Sequence, residues 1–362
     1  MKITVLQKDL IKTLTSVSRF VSVRSQLPIL TNIKLKAKNS KLIAQATNLE
    51  MSCSSPIGAQ VEKAGEVAVN ARVLVDLINS LKSERLCLFT EGESLKLESE
   101  GFKAVLSGLN TSDFPLIPDG FENEVKLPKD EFLDGLASTI FSCSLEPSRP
   151  ALSGVLFIFG ENVDLVASDG FRLSKKVIKT KTQLSSRFIV PKSVLVELLR
   201  LSSDVKTISL ELKEEERQVI FVLDETVISS RLIEGDYPPF EKIIPNNSSI
   251  SVNLNKDDFR DAIKTASVFA RDSANILTLE IKEDLLKVGA KSANFGYQES
   301  IVSAKVEGPD ITIPYNYRFI EDFLNVVKGE SVILKFNGTT TPGVFLDAKD
   351  ENFLHLIMPV KS

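Results

Sequence analysis

The residues of this chain best suited to chemistry lie in A-S-D-G-F-R-L, residues 167–173. A carboxylate (Asp169), a glycine (Gly170), an aromatic ring (Phe171) and a guanidinium (Arg172) stand side by side between two alternating runs. A carboxylate serves as a general acid or base when a second titratable group or a metal assists it. Few assistants are available. The one histidine, His355, sits in F-L-H-L-I, where alternation places it on a strand among apolar neighbours as a structural residue. One histidine cannot build a multi-histidine metal centre. The three cysteines, Cys53, Cys87 and Cys143, are too widely spaced for a zinc site and odd in number for a disulfide framework. There is no P-loop and no G-x-S-x-G elbow; G-E-N-V and G-E-S-L read as hairpin turns. Asp169-Gly170 is itself a hairpin signal, for a type I′ turn with positive φ at both central residues. The stretch therefore admits three readings: a turn, a catalytic carboxylate, or a surface that a partner grips.

The elements that must position it follow from the rest of the chain. At 362 residues, two or three domains are expected, and 43% apolar with 25% charged residues supplies an ample core. A net charge of −4 is too mild for a polybasic nucleic-acid binder, although local basic stripes set local fields whatever the total. The opening M-K-I-T-V-L-Q-K-D-L carries Asp9 and lacks a long apolar core, and no apolar run is long enough to span a bilayer. A cytoplasmic location and no membrane partner are expected.

A repeat organises the chain. Q-K-D-L-I-K-T-L-T-S-V starts at Gln7, K-D-E-F-L-D-G-L-A-S-T-I-F at Lys129 and K-D-D-F-R-D-A-I-K-T-A-S-V-F-A at Lys256, so that Leu10, Phe132 and Phe259 recur at intervals of 122 and 127 residues. Each has apolar residues at helical spacing, as in Phe259, Ala262, Ile263 and Ala266. A second helical segment begins at Val69, Val190 and Ile313, at intervals of 121 and 123 residues. Alternating strands follow every helix. The reading is an α+β chain of three repeated units, each with two helices and antiparallel strands, bounded at residues 1–119, 120–246 and 247–362. F-P-L-I-P-D-G-F-E-N-E and Y-P-P-F-E-K-I-I-P-N-N-S-S read as solvated linkers, where proline breaks helix and ladder alike. On the polar helix faces, Lys256, Arg260 and Lys264 form one basic stripe, Lys8, Lys12 and Arg19 another, and Lys192 and Arg200 share a face. Such stripes suit either plain solvation or sequence-independent phosphate contact, and Asp130, Glu131 and Asp134 weaken the pattern on the third helix.

The repeat, together with M-K-I-T-V-L-Q-K-D-L, R-S-Q-L-P-I-L, A-T-N-L-E-M, S-R-P-A-L-S-G-V-L-F, A-S-D-G-F-R-L and the closing L-I-M-P-V, resembles the bacterial DNA polymerase III beta subunit family, the replicative sliding clamps, from end to end. The resemblance implies the DNA clamp (processivity) fold and a head-to-tail homodimer closed into a ring around double-stranded DNA without sequence preference. It implies no cofactor and no catalysis. Partners would be the DNA polymerase III alpha subunit, the clamp loader, and other polymerases and repair proteins. These would insert peptides of the Q-L-x-L-F type, and the protein would be nucleoid-associated. Strands near residues 104–108 and 270–275 would form the dimer edges.

Carried over by resemblance, DNA would meet Arg24, Arg72 and Arg149; helix phase adds Lys192, Arg200 and Lys264. Pro150 and Ala151 stand where some members place tyrosines. The peptide pocket would comprise Leu152, Ser168, Gly170, Phe171, Arg172 and Leu173, then Pro238, Lys242 and Ile243, then Pro342, Leu356, Met358, Pro359 and Val360. Phe171 stands where some members have histidine, Ser168 replaces a threonine, Lys242 replaces an arginine, and the tail ends in Lys361-Ser362 without an apolar last residue, all of which implies a shifted peptide preference. Two other readings stay open: a monomeric three-domain peptide-binding adaptor that does not encircle DNA, and an enzyme using Asp169.

Overall fold

The computed structural model describes residues 1–118 and 121–361. The expected boundary at 119/120 and the terminal Ser362 lie outside the described residues. Six α-helices occur among these residues: α1 (Gln7–Val17), α2 (Ala71–Ser80), α3 (Lys129–Thr139), α4 (Lys192–Leu201), α5 (Lys256–Ala270) and α6 (Tyr317–Val326). They are the six helical segments of the repeat. The second helix of each repeat starts later than its apolar pattern suggests. The leading residues of those segments finish the preceding strands, Gly65–Asn70, Ser186–Pro191 and Ile311–Asn316. In two of the three an asparagine makes the change of direction. The Asn70 side chain accepts the Val73 N–H at 3.1 Å and Asn316 accepts that of Arg318 at 3.0 Å. Asn255 does the same for Asp257 and Asp258 at the start of α5. Each such cap satisfies helix donors that would otherwise lack partners and is worth about 1 kcal/mol.

Apolar residues at three- and four-residue spacing bury one face of each helix. On α5 these are Phe259, Ala262, Ile263, Ala266 and Ala270, and on α6 Tyr317, Ile320, Phe323 and Leu324.

The strands group into two compact units that differ from the sequence repeats. The first comprises Met1–Lys129 and Val196–Leu232. It holds a five-stranded sheet ending in strand Phe102–Leu106, and a nine-stranded sheet in which Met51–Gly58 pairs antiparallel with Thr226–Arg231. Strands of the first and second repeats thus share one sheet. The second unit comprises Asp130–Leu195 and Ile233–Ser362 and is built on a twelve-stranded antiparallel sheet. Here Arg172–Ile178 of the second repeat pairs with Asp350–Ile357 of the third, with Arg172 opposite Ile357 and Leu173 opposite Leu356. That ladder carries A-S-D-G-F-R-L up against the end of the chain.

Two expectations need correcting. Residues 271–275 form a turn rather than a strand; nearby, residues 296–303 of strand Gly296–Glu307 pair on one side only. The second linker is not wholly solvated. Phe240–Ile243 is a short 3-10 helix, and Tyr237 and Phe240 are buried in an apolar cluster with Leu152, Leu156, Val166, Leu173 and Leu356. Prolines 238 and 239 stop the ladder here, but the aromatic rings on either side of them bury enough apolar surface to hold the segment down.

Candidate functional site

Residues 168–172 form a turn whose polar groups are nearly all satisfied from within. The Asp169 carboxylate accepts the N–H groups of Phe171 and Arg172 at 2.9 and 3.0 Å, and Arg172 Nε donates to it at 3.0 Å. The Ser168 hydroxyl donates to the Arg172 carbonyl at 2.7 Å and accepts the Gly170 N–H at 3.1 Å. Only Gly170 takes a positive φ, of 90°. The type I′ expectation is therefore corrected: Asp169 stays outside the left-handed region and closes the turn with its side chain, which does for the backbone what a second left-handed residue would have done.

Arg172 is equally committed. Its guanidinium binds Asp169, Asp322 and, at 2.8 Å, the Phe141 carbonyl, and lies 4.5 Å from the centre of the Phe319 ring. Below it, His355 is fully buried. Its Nδ1 lies 2.8 Å from the Ser174 hydroxyl, which in turn meets that of Ser142. Burial, and then the nearby Arg172 charge, depress its pKa to about 3, so the ring is neutral. This rigid base leaves Phe171 58% exposed at the rim.

Beside the turn runs an apolar groove of about 480 Å³. The structure brings Leu152, Ser168, Gly170, Phe171, Arg172 and Leu173 to it from the second repeat, Pro238 and Ile243 from the linker, and Pro342, Leu356 and Met358 from the third. Lys242, Pro359 and Val360 do not line it. Lys242 is exposed on the short helix, and Pro359 and Val360 are half-buried beside the groove. The tail is tied down by backbone hydrogen bonds: the Met358 N–H donates to Phe171 O at 2.8 Å and that of Val360 to Pro314 O at 2.9 Å. Sequence reasoning missed Tyr237, Pro239 and Phe240, which also line the groove. The signal was present in Y-P-P-F-E, where two aromatic residues flank the prolines of an otherwise polar segment.

The proposed phosphate contacts fare unevenly. In the first unit, Arg24 is exposed in a loop, and Arg72 in the first turn of α2 is 90% exposed with only a loose 3.8 Å pair to Asp76. Arg200 is held by Glu197 at 2.7 Å, and the α1 stripe is partly neutralised by Lys12–Asp204 at 2.7 Å. In the second unit Lys264 is exposed and makes no ion pair among the described residues, whereas its stripe partner Arg260 is taken up by Asp257 and the Leu324 carbonyl. Lys192, at the start of α4, lines a second cleft together with Phe141, Glu146 and Asp322. Arg149, expected at DNA, lines the apolar groove. Among the described residues, no group of three or more His, Cys, Asp or Glu could hold a metal, and no helix is long and apolar enough to cross a membrane.

Comparison with known proteins bears on the whole chain. Residues 1–118, 126–239 and 241–361 match, in order, the N-terminal, central and C-terminal domains of the DNA polymerase III beta subunit. The beta sliding clamps of Staphylococcus epidermidis and Staphylococcus aureus are each 28% identical, with all of both chains covered. The crystal structure of the Bacillus subtilis DNA polymerase sliding clamp superposes with a TM-score of 0.94 at 24% identity, covering 100% of this chain and 99% of that one. The Bartonella birtlesii clamp, bound to griselimycin, gives 0.94 at 25% identity over all of both chains.

Proposed function

The chain belongs to the DNA polymerase III beta subunit family, the beta sliding clamps that confer processivity on DNA polymerase III, and we propose that it acts as a head-to-tail homodimeric ring around double-stranded DNA. It is a non-catalytic subunit. Asp169 fits that role, since its carboxylate is spent on the turn and on Arg172. The division into residues 1–119, 120–246 and 247–362 gives three domains per chain and six per ring. The protein works in the cytoplasm, on the nucleoid.

Ring closure has a physical basis in two unlike edges. Strand Phe102–Leu106 ends its sheet and carries Val105, 62% exposed, while residues 296–303 carry Tyr297 and Ile301, 69% and 71% exposed. Pairing one edge with the other on a second copy is heterologous, removes both exposed ladders and closes when the rotation fits. Inside the ring, Arg24, Arg72, Lys192, Arg200 and Lys264 make sparse phosphate contacts. A holder that works by topology needs contacts weak enough to break as it slides, which suits a mildly acidic chain whose basic residues are partly paired.

The groove carries the partner-binding half of this reading. Residues from three distant parts of the chain converge there on one apolar surface bounded by a rigid turn. It takes the leucine and phenylalanine of a Q-L-x-L-F peptide from the polymerase alpha subunit, the clamp loader or a repair protein, each buried side chain contributing about 1.5–3 kcal/mol. The test of the ring is to load the protein onto nicked circular plasmid with a clamp loader and then linearise the DNA. It should remain on the circle and leave the linear form; retention on linear DNA, or an Ile301→Arg variant that stays dimeric in sedimentation, would refute the ring. A monomeric mass for the wild type would favour the adaptor reading.

A further inference from the structure

Two carboxylates in the first unit take up three of the cations that the repeat places on its basic helix faces. Glu197, on α4, is buried and stands between two arginines. Arg200 Nη1 donates to its Oε1 at 2.7 Å, whereas Arg19 Nε lies 3.7 Å from its Oε2, within ion-pair range but too far for a hydrogen bond. That second oxygen is buried with no hydrogen-bond partner among the described residues. Asp204, in the turn after α4, accepts from Lys12 of α1 at 2.7 Å. Lys12 and Arg19 come from the first repeat and Arg200 from the second, and all three are exposed. Each therefore keeps N–H donors for a second anion while its charge is offset by a carboxylate of the fold. The two arginines and Glu197 together carry one net positive charge instead of two, and the Lys12–Asp204 pair carries none.

We propose that Glu197 and Asp204 are positioning residues for the DNA contact: they hold Arg19, Arg200 and Lys12 toward the duplex and compete with its phosphates for their charge, which keeps the ring mobile. This rests on the ring reading, and it adds Arg19 and Lys12 to the phosphate contacts. A phosphate that reaches any of the three cations must share it with a carboxylate already in place. Glu197 cannot swing aside as DNA passes, because it is buried and its Oε1 is hydrogen-bonded. Each phosphate neutralised by a free cation steepens the fall of log K with log salt by about 0.9, so the two carboxylates together withhold a slope of about 1.8.

Single-molecule tracking of rings placed by a clamp loader on linear duplex with blocked ends tests it. Glu197→Gln keeps an amide oxygen for Arg200 and removes only the charge; Asp204→Asn does the same for Lys12. On lowering salt from about 200 to about 50 mM, diffusion of each variant should slow by about threefold more than that of wild type, the worth of one extra phosphate contact. At high salt all should move alike, a convergence that a merely structural defect would not produce. Adding Arg19→Gln and Arg200→Gln to Glu197→Gln should abolish its extra slowing. Variants that diffuse like wild type at both salts, slowing that salt does not relieve, or slowing that survives removal of the two arginines would overturn the proposal. Should Glu197→Gln fail to load, Asp204→Asn, changed at an exposed site, decides the matter by the same criteria. Wild-type protein that never stays on end-blocked DNA would instead bring down the ring reading beneath it.

Discussion

Removing the Asp169 carboxylate is the most direct test of how the turn works. In Asp169→Ala the N–H groups of Phe171 and Arg172 lose their shared acceptor, and Arg172 loses one of its anionic partners. A hydrogen bond to a charged group is worth about 1.5–3 kcal/mol when its partner is left unsatisfied. The Asp169 side chain is 17% exposed, so water recovers part of the two N–H bonds, and Arg172 keeps Asp322. The net cost should be about 2–3 kcal/mol. Asp169→Asn retains an acceptor for both N–H groups and loses only charge, so it should cost about 1 kcal/mol. Phe171, no longer pinned, should sample other rotamers, and Q-L-x-L-F affinity should drop about tenfold in Asp169→Ala, equivalent to about 1.4 kcal/mol. Urea unfolding followed by circular dichroism gives the stabilities, and peptide calorimetry the affinities. Equal destabilisation by the two substitutions would refute the account of Asp169 as a backbone acceptor. Unchanged peptide affinity in Asp169→Ala would refute the idea that the turn presents Phe171 to the partner.

Three further expectations follow from the packing. Deleting residues 358–362 removes Met358 from the groove and its hydrogen bond to Phe171 O, and should abolish Q-L-x-L-F binding while sedimentation still shows the dimer. His355, held near pKa 3 by burial and then by Arg172, takes up its proton more readily when unfolded; the unfolded state therefore binds more protons between about pH 3 and 6.5, and stability should fall as pH drops through that window by about 1.4 kcal/mol per unit, a slope that His355→Gln should reduce in pH-dependent denaturation. Lys176 is buried between Asp134 and Asp350, with Lys328 on the far side of Asp134. Burial alone would raise the Asp134 pKa, but the hydrogen bonds from Lys328 and Lys176 outweigh it and lower it, so this carboxylate stabilises the fold above its unfolded pKa and loses that contribution as pH falls through its lower folded value. Lys176→Met leaves Asp350 without its cation and Asp134 with Lys328 alone, and should cost about 3 kcal/mol at neutral pH in urea unfolding, and less in acid.

The fold was legible in the residues to the extent that its determinants are local. Helices α1 to α6 announce themselves because apolar residues three and four apart land on one face whatever surrounds them, and the repeat multiplies that signal threefold. The true starts of α2 and α6 lie a few residues inside the pattern, because Asn70 and Asn316 cap from the last residue of a strand. In the groove, Leu152, Leu173 and Met358 were named through the resemblance, whereas Tyr237 and Phe240 were hidden in a segment that composition marks as linker.

Charge commitment was less legible still. Lys256, Arg260 and Lys264 look equivalent at four-residue spacing, yet Arg260 is captured by Asp257 and a carbonyl of α6 while Lys264 stays open. Arg172 and Arg149 look alike in the same way, and only the positions of Asp322 and Phe141 separate a guanidinium engaged within the fold from an exposed one with no ion pair among the described residues. By itself, then, the sequence determined helix positions, the threefold repeat, the family and the absence of a credible catalytic set. The tertiary structure alone decided which strands of different repeats share a sheet, and so what lies beside residues 168–173. The reason is physical: helical periodicity is written within a few residues, whereas an alternating strand carries no mark of which other strand will satisfy its edge, and the ladder between Arg172–Ile178 and Asp350–Ile357 joins residues far apart in the chain.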